Sequence, residues 1–308
     1  MSENNVHTDP SAIAGMEEVA SHEHIAVQPD GSVAGYKAGR TLRLRVELAR
    51  QLRRRRTQLM LGLLVLLPFV LVVSFEIGSA NPNNRSGGFI DLATASAPNF
   101  TVTALFVSCS FLLPMIVAIF FGDTIASEAS WSSLKYLLAM PIPRFRLIRQ
   151  KAITSGLLSF MALLVLPAVS LLVGVIWYGA GEAVSPTGDA VSFSDGVLAI
   201  LGSTIYIAVN LLWVAALALF LSASTDAPLG AVGGTVLVAI VSQILDQITA
   251  LDNLRNYLPT HYAFAWSDLI SRDIDWSQMT RGAFSAVCYA AVFGVLAVRK
   301  FTRKDITS

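Results

Sequence analysis

Asp246 is the only ionisable acid well inside any long apolar stretch of this chain, and its polar company there is Thr103, Ser108, Ser110, Tyr206, Asn210, Trp213, Ser242, Gln243 and Gln247. Polar groups in such stretches are costly in hydrocarbon and turn toward protein or water. Most Ser, Thr and Asn of this sort act as hydrogen-bond partners between helices. Tyr206, Asn210, Trp213, Gln243 and Asp246 remain as candidates to line a path. With so little buried charge, that path suits an amphipathic or lipid-like solute better than an ion. Covalent chemistry finds no residues to carry it. His7, His22, His24 and His261 all lie outside the apolar stretches, no HExxH pair occurs, and no GxxxxGK[ST] loop is present to cradle a nucleotide. Cys109 and Cys288 sit within apolar stretches and form no CxxC pair. The chain is therefore expected not to be an enzyme and to bind no cofactor of its own.

The elements that would position these residues are membrane spans. Apolar stretches recur at about Leu59 to Phe75, Val102 to Phe121, Ala152 to Tyr178, Val197 to Leu221, Leu229 to Ile248 and Gly282 to Val298. Each is long enough to cross about 30 Å of hydrocarbon. Hydrophobic residues make up 54% of the chain and charged ones 14%, and the mean hydropathy is +0.60. The expectation is an all-α, polytopic protein with one six-span domain at about 58–299. No span is expected to be interrupted in the manner of ion-coupled transporters.

Charge placement orients it. With the N-terminus inside, the inner segments hold 18 Lys and Arg and the outer segments 4, although the net charge is only +1. Retention of cations on the cytoplasmic side then puts both termini in the cytoplasm. Residues 1–35, rich in Ser, Glu, His and Gly without apolar period, read as a disordered cytoplasmic tail. They lack the order of a cleaved signal, so the first span is expected to be a retained anchor. Residues 300–308 form the second cytoplasmic tail.

Two amphipathic segments flank the spans. Within 36–57, Leu44, Leu48 and Leu52 recur every four residues, with Arg43, Glu47, Arg50 and Arg54 on another face. Such a helix would lie in the inner interface with Arg43, Arg50 and Arg54 on lipid phosphates, either as a charge anchor or as an elbow with a mechanical role. The long inner connection at about 123–140 places Trp131, Leu134 and Leu138 at i, i+3 and i+7, with Glu128 near the start and Pro141 and Pro143 as a stop. This apolar stripe either lies on the membrane surface or enters a groove on a soluble partner. Between the last two spans, about 251–281, Tyr257, Tyr262, Phe264, Trp266 and Trp276 give the aromatic density of a membrane interface. Gly230 and Gly234, then Gly282, Ala286, Ala290 and Gly294, provide smooth helix faces for packing within the chain or between copies.

The run Ile125-Ala-Ser-Glu128, with Ser132-Ser133-Leu134, Leu137-Leu138, Pro141, Arg144 and Lys151, resembles the loop between the second and third spans of type-2 ATP-binding-cassette exporter permeases. Ser132-Ser133 stands where that family has Gly-Thr, and Ala129 where a basic residue is common. The similarity extends from about Tyr36 through the basic amphipathic start, the six-span plan, the Leu258-Pro-Thr-His-Tyr-Ala263 segment and the Arg-Lys-Asp tail. It implies that 123–140 is a coupling helix seated in an ATPase cleft, with Glu128, Trp131, Leu134 and Leu138 as contacts. It also implies short re-entrant helices in the outer segment, a bacterial plasma-membrane location, two copies of a separate ATPase that bind ATP and Mg, and a second permease subunit, like or related. The bilayer completes the partners, with no nucleic acid. The alternative function is a membrane scaffold or sensor that couples to an ATPase without carrying solute.

Overall fold

The computed structural model describes residues 44–79, 89–130, 143–185, 188–271 and 274–303. The tail 1–35, Arg43, and the stripe residues Trp131, Leu134 and Leu138 lie outside the described residues. The described residues are helical almost throughout, six segments among them are long and apolar enough to cross a membrane, and ten α-helices make them up. In order they are α1 Leu44–Leu52, α2 Arg55–Ser79, α3 Phe89–Ala93, α4 Ala97–Cys109, α5 Leu112–Ser130, α6 Arg144–Tyr178, α7 Phe193–Asn210, α8 Leu212–Ser224, α9 Pro228–Gln247 and α10 Trp276–Thr302. The six segments long and apolar enough to cross are α2, α5, α6, α7 with α8, α9 and α10, and the shorter apolar helix α4 leads into α5. Arg144 Nη1 donates to the Thr302 carbonyl at 2.9 Å, so the start of α6 and the end of α10 meet at one end of the bundle, here termed the arginine-rich end. That bond also supplies a cation to the last carbonyls of α10.

Local signals explain most boundaries. Ser96 caps α4 with Pro98 in its first turn, Ser192 caps α7, and Asp275 accepts from the Ser277 N–H at the head of α10. At the far end, Asn99 Oδ1 accepts from Val184 N–H and its Nδ2 donates to the Val184 carbonyl, both at 2.8 Å. This ties α4 to the two-residue hairpin Ala183–Val184 with Ala190–Val191. The core lies between α5, α6, α7 and α8, and includes Leu113, Ile116, Leu158, Leu166, Val214 and Ala218. By contrast α2, α9 and α10 keep Leu66, Val73, Ile77, Leu237, Ile244, Phe284 and Val295 exposed. Helices this apolar and this bare are stable only where the surroundings are hydrocarbon.

The structure adds detail at three places. The helix of the second apolar stretch is broken at Ser110 and Phe111 between α4 and α5, and that of the fourth at Leu211 between α7 and α8. Pro114 has no N–H to give to the Ser110 carbonyl, and its ring crowds that oxygen. Gln243 Nε2, from α9, takes up the freed carbonyl at 2.6 Å. Next, α5 does not end near Phe121 but runs on to Ser130, so 123–130 continues a crossing helix and is not the first part of a separate coupling helix. Nothing between Pro114 and Ser130 breaks a helix. Finally, the segment after α9, expected as an interfacial helix or as short re-entrant helices, is built of short helical turns with a kink at Asp252. It forms two 3-10 helices, Thr249–Tyr257 and Ala265–Ile270. Trp266 of the second is fully buried.

Candidate functional site

The ionisable groups gather at the arginine-rich end, where α1, the last turns of α5 and the first turns of α6 converge. Lys151 Nζ lies 2.5 Å from Glu128 Oε1, and their side chains are 5% and 7% exposed. Length is what puts this pair there. At 35 residues α6 spans about 52 Å, well beyond the hydrocarbon thickness, so its basic first turns project past the apolar core. The extended α5 carries Glu128 out beside them.

Helix α1 closes the cluster from the third side. Leu48 and Leu52 pack against the core while Leu44 stays exposed, which turns Glu47 and Gln51 inward. Glu47 Oε1 is 3.8 Å from Lys151 Nζ and accepts from Gln51 Nε2 at 3.2 Å. Arg50 reaches both carboxylates, Glu47 at 2.7 Å and Glu128 at 3.4 Å. Burial by itself would raise the Glu47 carboxyl pKa, but the Arg50 hydrogen bond and the charges of Lys151 and Arg50 outweigh it and hold the group below its ordinary value. Burial likewise disfavours the Arg50 cation, and the bond and charge of Glu47 reverse this and raise its pKa.

One turn deeper, Asp123 takes Arg56 Nη1 at 2.5 Å and Arg54 Nη1 at 3.4 Å. Arg50 and Arg54, expected on lipid phosphates, are therefore paired with carboxylates of the same chain. Glu128, expected to contact an ATPase, is buried among internal partners. Helix α1 packs against α6 with Glu47 and Arg50 toward the Glu128–Lys151 pair, and Arg54 follows in the bend before α2.

Serine and threonine bind the neighbouring turns of α5 to the rest of the bundle. Ser222 Oγ of α8 accepts from the N–H groups of Ile125 and Ala126 at 3.1 and 3.0 Å. Ser155 Oγ of α6 donates to the Phe120 carbonyl at 2.8 Å and lies 2.7 Å from Thr124 Oγ1. The end of α5 is thus clamped by α6, α8 and α1 through polar bonds.

The residues expected to line a path are dispersed. Tyr206 and Asn210 on α7 and Trp213 on α8 are buried in the packing. The Tyr206 hydroxyl donates to the Tyr262 carbonyl at 2.7 Å, beneath Gly282, where an added Cβ would stand 2.6 Å from Tyr262 Cβ. Gln243 serves the break at Ser110. Asp246 lies 2.6 Å from His261 Nδ1 and 3.6 Å from Arg255 Nε, fastening the 3-10 segment onto the end of α9. The cavities lined by Gln51, Asp123 and Thr124 and by Val117, Phe121 and Leu163 have none of these five in their walls. Asp123 and Lys151 were the residues sequence reasoning passed over as site members. Their signal was available in the unpaired charges at the edges of apolar stretches.

Comparison with known proteins bears on family. Uncharacterized protein YhcI of Bacillus subtilis (strain 168) is 28% identical over 221 residues, a match that covers 68% of each chain. Residues 66–307 match the family described as Protein of unknown function (DUF2705), and the chain belongs to that family.

Proposed function

We propose that this chain is the membrane-embedded permease subunit of an exporter powered by a separate ATP-binding-cassette ATPase. The observation that carries the reading is the buried cluster of Glu47, Arg50, Glu128 and Lys151, because it joins α1, α5 and α6 at the first part of 123–140, the segment whose sequence resembles a coupling helix. A force applied there by a nucleotide-binding partner is delivered to three helices at once. The resemblance gives Trp131, Leu134 and Leu138 the partner contact, while Glu128 acts as the internal anchor behind them.

In this reading the arginine-rich end faces the cytoplasm of a bacterium, as cation retention requires. Two ATPase subunits, which hold ATP and Mg, clamp beneath two permease chains, alike or related. The solute is amphipathic, drug-like or lipid-like, in keeping with a membrane interior poor in charge. The chain itself supplies binding and motion and no covalent chemistry.

The test is affinity purification of the tagged full-length chain from its native membrane in mild detergent, followed by ATPase assay after reconstitution. Recovery of an ATP-binding subunit whose turnover rises with an amphipathic solute supports the exporter. Recovery with turnover indifferent to every solute points to the scaffold or sensor role, and absence of any ATPase partner overturns the proposal. Leu134→Asp should abolish the co-purification while leaving the membrane level unchanged, because a buried unpaired carboxylate at an interface centre costs several kcal/mol.

A further inference from the structure

Each carboxylate of the cluster at the arginine-rich end already has a cation. Glu47, Asp123 and Glu128 are answered by Arg50, Arg54, Arg56 and Lys151. Arg45 of α1, Arg53 in the bend and Arg55 at the head of α2 stand outside this network. All three are exposed, and among the described residues no acid pairs with their guanidinium groups. Their positions follow from the two helices. On α1, Arg45, Ala49 and Arg53 recur every four residues on the arc opposite the buried Gln51, and Val46 beside them is 65% exposed. On α2, Leu59 and Leu66 follow Arg55 at i+4 and i+11, so Arg55 heads the stripe that carries them, and they are 67% and 54% exposed. From Arg55 to Leu59 the helix rises about 6 Å. That matches the depth of a headgroup layer, roughly 5–7 Å on each side of the hydrocarbon. An acyl chain lying along Leu59 and Leu66 therefore brings its headgroup to Arg55, with Arg53 two residues away.

We propose that Arg45, Arg53 and Arg55 bind the headgroup phosphates of anionic phospholipids whose acyl chains lie on the bare face of α2. Arg45 and Arg53 are separated by about 12 Å of rise, so they meet the phosphates of neighbouring lipids and not a single one. The surplus of cations favours a headgroup of net negative charge, because a zwitterionic lipid brings its own ammonium to the same place. A soluble polyanion fits the patch less well, since Val46 and Leu59 are exposed beside the arginines and only a lipid covers both kinds of surface. These three are not the arginines that the helical period alone places on lipid: Arg50 and Arg54 turn to carboxylates of the same chain. The inference is independent of the exporter reading, since binding is measured on this chain alone.

Full-length protein, purified in detergent and stripped of lipid, is titrated with phosphatidylglycerol or with phosphatidylcholine of the same acyl chains, and bound lipid is counted by native mass spectrometry. Phosphatidylglycerol is expected to bind the parent more tightly, and the preference should fall as salt rises. Arg45→Gln, Arg53→Gln and Arg55→Gln together should lower the phosphatidylglycerol affinity on the order of a hundredfold, at about fivefold for each arginine near an anionic surface. Phosphatidylcholine binding should be unchanged. Each single Gln variant should show its own step of about fivefold, readable even if the triple variant folds poorly. Lysine at the same three positions should keep the preference. Equal phosphatidylglycerol affinity in the parent and the Gln variants would overturn the proposal. So would displacement of the lipid by equimolar inorganic phosphate, which would mark the patch as a site for a soluble anion.

Discussion

At the scale of single residues, Glu128 and Lys151 form the contact with most at stake, because both are nearly fully buried and each neutralises the other. Removing one member of a buried pair strands the other's charge, at a cost of about 3–5 kcal/mol. Glu128→Ala is therefore expected to lower the melting temperature in detergent sharply, whereas a surface contact could be lost without such an effect. Glu128→Met with Lys151→Met should recover most of that stability, since apolar replacement of a whole buried pair is often neutral. Arg50→Ala should cost less than about 1 kcal/mol, because its side chain is 54% exposed. Equal melting temperatures for Glu128→Ala and Arg50→Ala would contradict this ordering.

Glu47 gives the cluster a pH dependence of definite sign. Its pKa is lowered in the folded chain from 4.5, so its stabilising effect is fully present above that pH and is lost as pH falls through the lower folded value. The melting gap between the parent and Glu47→Gln should stay constant from neutrality down to about 4.5 and close only below it. A gap that closes between pH 6 and 8 would assign the effect to another group.

At the scale of elements, the interrupted crossing depends on an exchange between Pro114 and Gln243. Proline frees the Ser110 carbonyl and Gln243 satisfies it. Gln243→Leu should cost roughly 0.6–1.7 kcal/mol, the span of measured hydrogen bonds between membrane helices. Pro114→Ala lets the N–H of residue 114 take that carbonyl, so in this background Gln243→Leu should cost markedly less. Additive losses in the double-mutant cycle would show that the two residues act separately.

At the scale of the whole molecule, the bundle is held by close approaches as much as by apolar area. Gly282 lets α10 lie against the Tyr206 hydroxyl and Tyr262, so Gly282→Ala must displace two buried rings or separate the helices. Overpacking of this kind costs about 1–3 kcal/mol. Gly294→Ala, with open space around it, should change the melting temperature little. Six alternating crossings also make a topology prediction. In a variant without Cys109 and Cys288, cysteines introduced at Ser194 and Ser277 should label from one side of the membrane and one at Ser224 from the other. Labelling of all three from the same side would break the six-crossing arrangement.

The amino-acid sequence determined by itself that this chain is a helical protein with six apolar crossings, because about twenty consecutive apolar residues are legible without knowledge of their neighbours. Helix caps at Ser96, Ser192 and Asp275 were local in the same sense. Pro114 announced its own break, yet the rescuing Gln243 lies more than a hundred residues away, and no local pattern joins the two. The polar residues were legible as candidates in the sequence, and their neighbours were not. Arg50, Arg54 and Glu128 looked outward in a helical projection, and the fold turned them onto carboxylates and a lysine from other helices. Only tertiary structure could make that choice, because a charge at the edge of a span has lipid phosphate and protein carboxylate equally within reach. Which one it meets depends on how α1 packs against α6.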